Sequence, residues 1–172
     1  MRFGTHIFFI NTKRGIEKPK DLVGKRIGVA DFQQTATVWM RGILQYEYDV
    51  DLDQIQWLIW EKESRIEISL PKRYNIQHIP AGKKPDEMLL QGEFDAIIHA
   101  NLFPSLLRAD HIQRLFKNYK EVEIDFYKRT GIFPIMHTVA IKEDLWKDCS
   151  WIAISLYKAF QAAKELAYPT TQ

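Results

Sequence analysis

Cysteine is almost missing from this chain: Cys149 is the only one in 172 residues, so no internal disulfide can form and the fold must rest on its core. Long apolar runs are missing as well. The run Ile7 to Ile10 near the start is too short for a signal-peptide core or a bilayer span. A cytoplasmic protein is therefore expected, with the periplasm as the alternative if the natural chain carries an upstream leader. An excess of one charge is also lacking, since 24 Lys and Arg against 22 Asp and Glu leave only +2, which gives no electrostatic case for nucleic acid. The five histidines, His6, His78, His99, His111 and His137, show no HExxH or comparable spacing, and there is no Gly-rich phosphate loop or GxSxG elbow. No metal and no cofactor are expected. No repeat or low-complexity segment appears. What remains, 46% hydrophobic and 27% charged residues, is the balance of an ordinary globular domain, and the length suffices for one domain with a real core.

The most informative stretch is PKDLVGKRIGVADFQQTATVWMRGILQYEY, Pro19 to Tyr48. Lys25 to Val29 has the character of a buried strand, and Asp31 to Thr35 that of a polar turn. Ala36, Trp39, Met40 and Ile43 then fall at i, i+3, i+4 and i+7, the apolar stripe of a helix packed on a sheet. The first amides of such a helix lack internal partners, and its dipole adds roughly half a positive charge there. Gln33, Gln34, Thr35 and Thr37 add side-chain donors, so an anion such as a carboxylate is a fitting ligand. The same pattern fits Thr35 as a plain N-cap.

Along the rest of the chain, Thr5 to Asn11 (THIFFIN) predicts a strand buried on both faces, and Ile55 to Trp60 and Ile76 to Ile79 predict two more. Glu61 to Tyr74 is charged and lacks period, as a solvated loop would. Pro85, Asp86 and Glu87 open a helix that Gly92 closes, and Phe94 to Ala100 is the next strand, with His99, Asn101 and Ser105 at its end. Two helical segments are expected at Asp110 to Phe116 and Asn118 to Thr130, then a strand over Phe133 to Ile141. A final helix is capped by Ser150 and carries the stripe Ile152, Leu156, Ala159, Phe160 and Ala163. Strands alternating with helices predict an α/β fold with a parallel or mixed sheet.

GIEKPKDLVGKRIGVADFQQTATVWMRGILQYEY, RTGIFPIMHTVAIKEDLW and SLYKAFQAAKELA together resemble the 4,5-dihydroxyphthalate decarboxylase family and its solute-binding relatives of the type II periplasmic-binding-protein fold. RTGIFPIMHTV is the most specific part. The resemblance implies one complete α/β lobe over residues 12–132, with a mixed, mostly parallel sheet. Residues 1–11 and 133–172 would be hinge strands and an incomplete first lobe. It implies non-oxidative decarboxylation of a hydroxylated aromatic dicarboxylate in an interlobe cleft, with His137 or His99 as general acid. Gln33, Gln34, Thr35, Ala36, Asn101 and His6 would be ligand-binding. In the family an Arg-His pair precedes the first hinge strand; here Gly4 and Thr5 stand there, with His6 one step later. Asn101 stands near a position where the family tends to have a carboxylate-clamping arginine. A non-catalytic binding protein for a small anion, of the kind that serves ABC-type uptake, is the alternative. Apolar surface on an incomplete lobe would favour a homo-oligomer.

Overall fold

Ile27, Gly28 and Val29 are all buried, on alternate faces of one strand, and set the centre of the molecule. In the computed structural model, Ile27 and Val29 enter one apolar cluster, while Gly28 faces Phe94 on the other side of the sheet. The structure describes residues 4–61, 68–80, 82–99 and 103–168. It divides into two compact units, Met1–Met136 and His137–Gln172.

In the first unit, the described strands are β1 (Phe8–Asn11), β2 (Arg26–Val29), β3 (Gln56–Ile59), β4 (Asn75–His78), β5 (Ala96–Ile98) and β6 (Ile112–Arg114). They form a sheet in the order β4-β3-β2-β5-β1-β6. The pairs β2–β3, β3–β4 and β2–β5 are parallel, and β1 runs antiparallel to both β5 and β6. The α/β class and the mixed, mostly parallel sheet are as expected. Both faces are covered: Met40, Ile43 and Leu44 of α1 (Thr35–Tyr48) pack with Ile27, Val29, Trp57 and Ile59 on one side. Met88 and Leu89 of α2 (Pro85–Gln91) and Leu106 of α3 (Pro104–Leu107) pack with Phe9, Leu58 and Ile97 on the other. The residues buried on α1 are Thr37, Met40, Ile43 and Leu44, so the stripe is turned slightly from the predicted one, and Ala36 and Trp39 are only half-buried.

A methyl group at Gly28 would lie 2.5 Å from the ring of the fully buried Phe94. Gly28→Ala is therefore expected to cost about 1–3 kcal/mol by overpacking, read as a lower denaturation midpoint at unchanged m-value.

Several expectations need correction. Thr5–Ile7 form a 3-10 turn and the strand starts only at Phe8; Gly4 is left-handed (φ 115°) and Thr5 is tied by its amide and hydroxyl to Glu123. Asp110 to Phe116 is not a helix. Its centre is the edge strand β6, where Ile112 is buried and Gln113 exposed, a two-residue period too short to be told from a helical one in sequence. The helix α4 (Tyr119–Thr130) matches the second expected segment and ends at the left-handed Gly131, and its one fully buried residue is Glu123. Residues 131–142 form no strand, because no described residue pairs with them.

The second unit contains α5 (Glu143–Asp148) and α6 (Ile152–Ala167). Ser150 is not the cap of α6; Trp151 takes that position, without a side-chain capping bond. Neither helix has a fully buried residue: Ile152 and Leu156 are half-buried, while Ala159, Phe160 and Ala163 of the predicted stripe are exposed. No described helix is long and apolar enough to cross a membrane.

Candidate functional site at the carboxyl edge of the sheet

The chain leaves β2 through α1 to reach β3 on one side, whereas β5 lies on the other side of β2. Connections therefore diverge between β2 and β5, the position at which open α/β sheets take ligands, outside the carboxyl ends of the strands. The loop after β2, the end of β5 and the start of the reversed strand β1 all reach this edge. The His99 amide donates to the Ile7 carbonyl at 3.1 Å, which binds the last two together.

On the β2 side the turn is held from within. Asp31 accepts the Gln33 amide through its side chain (2.9 Å) and the Gln34 amide through its carbonyl (3.2 Å). Phe32 is plugged into the core, and Arg41, one and a half turns into α1, donates to the Phe32 carbonyl at 2.7 Å with its guanidinium 3.5 Å above the ring centre. Burial pushes the Arg41 pKa down to about 10, against the opposing pull of Tyr74 and Asp31. Gln34 is the N-cap residue of α1 without a side-chain cap, so Thr35 is the first helical residue and not the cap. The Val38 amide is the first to find a helical acceptor, the Gln34 carbonyl at 2.9 Å.

Gln34 and Thr35 are exposed, and Gln33 and Ala36 half-buried. Thr37 is fully buried. Buried polar atoms normally find partners, yet Gln33 Oε1, Thr37 Oγ1 and His6 Nδ1 are buried with no hydrogen bond among the described residues. All three belong to segments at this edge. His99 packs its ring on Phe103, stacked at 4.7 Å, and against Trp60 at 5.3 Å, so an aromatic group stands at this edge on the α2–α3 face. Its sequence signal was the Trp60 and Phe103 positions just past two strand ends, which hydrophobic pattern alone assigns to core.

Gln33, Gln34, Thr35, Ala36, His99 and His6 thus all belong to segments that begin or end at this edge. His137 is the first residue of the second unit, exposed and outside any strand. Asn101 lies outside the described residues. Among the described residues no group of three or more His, Cys, Asp or Glu side chains is placed to hold a metal.

No protein-family model matches the chain. It is 36% identical over 166 residues to the 4,5-dihydroxyphthalate decarboxylase of Comamonas testosteroni, an alignment covering 92% of this chain and 50% of that protein. The likeness is to the 4,5-dihydroxyphthalate decarboxylases. It is also 32% identical over 127 residues to the protein of that name from Pseudomonas putida, covering 70% of this chain and 49% of the relative. The chain spans about half the length of the curated relatives it matches.

Proposed function

We propose that this chain supplies the anion-binding half of a non-oxidative decarboxylase acting on a hydroxylated aromatic dicarboxylate such as 4,5-dihydroxyphthalate. The observation that carries the reading is the start of α1: an uncapped 14-residue helix opening at the sheet's switch point, with unpartnered Gln33 and Thr37 oxygens beside it. The retained carboxylate docks on the amides of Thr35 to Thr37 and on Gln33 and Gln34, where helix dipole and free N–H groups favour negative charge. The bond from the ring to the other carboxylate breaks, carbon dioxide leaves, and the electron pair stays on the ring carbon. That carbon takes a proton, for which His99 at the edge and His137 in the second unit are the candidate donors. No oxidant or reductant enters the balance.

The aromatic group of Trp60, His99 and Phe103 supports an aromatic ligand over an aliphatic one. We also propose that residues 12–132 form the ligand-facing lobe, with residues 1–11 and 133–172 as hinge strands and an incomplete first lobe. The exposed Trp151, Ile154, Tyr157 and Phe160 of the second unit support a surface that further polypeptide covers, in keeping with relatives twice as long.

Gln34→Asp tests the anion site. A carboxylate at the N-cap satisfies the same amides from within the chain, so the variant should be about 1 kcal/mol more stable and bind 4,5-dihydroxyphthalate at least tenfold more weakly by calorimetry. Unchanged affinity would overturn the site. Product analysis on the wild-type chain, supplied with the remainder of the protein where the full reading frame encodes one, separates the reactions. Carbon dioxide release supports decarboxylation, whereas heat of binding without it leaves a binding module.

A further inference from the structure

A helix whose single fully buried residue is a glutamate calls for an account, because a carboxylate costs several kcal/mol to desolvate unless donors surround it. Glu123 of α4 is 3% exposed. Its Oε1 accepts from the Thr5 hydroxyl at 2.6 Å and the Thr5 amide at 3.2 Å. The same oxygen lies 3.8 Å from Nδ1 of His6, a ring atom that is itself buried and unbonded. Three things thus meet where β1 begins: a fixed carboxylate, the backbone of Thr5, and a histidine ring one residue further on. The ring has little freedom to leave. Arg114 holds the His6 carbonyl at 3.0 Å, and the Tyr119 ring of α4 stands 5.8 Å from the imidazole.

A plain structural role for Glu123 is to secure Thr5, and a serine, threonine or asparagine could do that without burying charge. What a carboxylate adds is a preference for the Nδ1–H form of a neighbouring imidazole, which leaves Nε2 as the atom free to exchange a proton. At 3.8 Å the contact is longer than a hydrogen bond. Such contacts in ligand-free sites commonly tighten when the ligand seats.

We propose that Glu123 is a positioning residue for His6: the geometry points to a carboxylate–imidazole pair at the mouth of β1 that sets the His6 tautomer, so that Nε2 exchanges a proton at the carboxyl edge of the sheet. This rests on reading that edge as the ligand site. The pair adds His6 to His99 and His137 as a proton-carrying group. In that role Nε2 of the Nδ1–H ring first takes up a proton from solvent, and the imidazolium so formed, held by the ionised Glu123, passes that proton to the ring carbon that has lost carbon dioxide and returns to the Nδ1–H form.

The test uses nitrogen-15 correlation spectra of the His6 ring together with carbon dioxide release from 4,5-dihydroxyphthalate, on the wild type and on Glu123→Gln. The glutamine keeps an acceptor for Thr5 while removing the charge. The wild-type His6 should show the Nδ1–H tautomer, and the variant a shift toward Nε2–H with turnover lowered at least tenfold and KM little changed. A wild-type ring in the Nε2–H form overturns the proposal even if the variant fails to fold, and so does a tautomer that Glu123→Gln leaves unmoved. If the tautomer shifts as expected but the wild type releases no carbon dioxide, the pair stands and the decarboxylase reading falls.

Discussion

Phe32→Ala should cost about 3–5 kcal/mol of stability and weaken anion binding in the same molecule, measured by urea denaturation and by calorimetry with 4,5-dihydroxyphthalate. The ring is 1% exposed. It meets Trp57 edge-on at 5.5 Å and Tyr74 at 5.2 Å, and carries the Arg41 guanidinium on its face. Truncation opens a cavity against Trp57, which is itself fully buried, and such a rigid neighbour cannot collapse into the space. It also deprives a half-buried cation of its π-face, worth about 0.5–2 kcal/mol. The functional consequence follows from position in the chain. Phe32 stands between the Asp31 turn and Gln33, and it is the one side chain of that loop sunk in the core, so it fixes where α1 begins. A loop set free must be ordered again at each binding event, and that ordering subtracts from affinity. Lost stability with unchanged affinity would show that Asp31 and the helix alone hold the anion site in shape.

Such coupling between core and site explains which parts of the molecule were legible beforehand. β2, α1, β3, α2 and β5 could be read because their apolar periods and their Pro and Gly stops are local signals. The strand, polar turn and helix start of the candidate site were legible for the same reason, since they follow one another in a single stretch. Misread features depend on partners distant in sequence. Whether Phe133 to Ile141 becomes a strand is decided by what pairs with it, and no described residue does. Ile112 to Arg114 becomes an edge strand only because β1 lies beside it. Thr37 is buried although its type suggests a cap, which turns the buried face of α1 away from the predicted stripe. Glu123 escaped notice because a charged residue in an amphipathic helix is ordinarily assigned to solvent, and only tertiary contact with Thr5 and His6 reverses that assignment.

Asp95→Asn is the second large expected effect, about 3 kcal/mol, at the opposite end of the same two central strands. Asp95 is 6% exposed. Its carboxylate accepts the Arg26 amide at 2.9 Å and the Arg26 guanidinium at 2.8 and 3.1 Å, with Arg14 Nε at 3.4 Å. Both arginines also donate to the Gly92 carbonyl, so one acid ties the α2–β5 turn, β2 and the loop after β1 together. Removing one member of a buried pair costs about 3–5 kcal/mol. The lower end applies here because the Arg26 and Arg14 side chains are 36% and 41% exposed and recover hydration. Burial pushes the Asp95 pKa up, but the hydrogen bonds and charge of Arg26, with Arg14 behind it, outweigh burial and hold it below the ordinary carboxylate value. A carboxylate whose folded pKa is depressed contributes stability that is fully present above its unfolded pKa of about 4 and is lost as pH falls through the lower folded value. The wild type should therefore lose stability more steeply than the asparagine variant on acidification below about pH 4, and the two denaturation curves should converge there. Curves that remain parallel down to that range would mean that the clasp contributes through shape and hydrogen bonding, with its charge of little consequence.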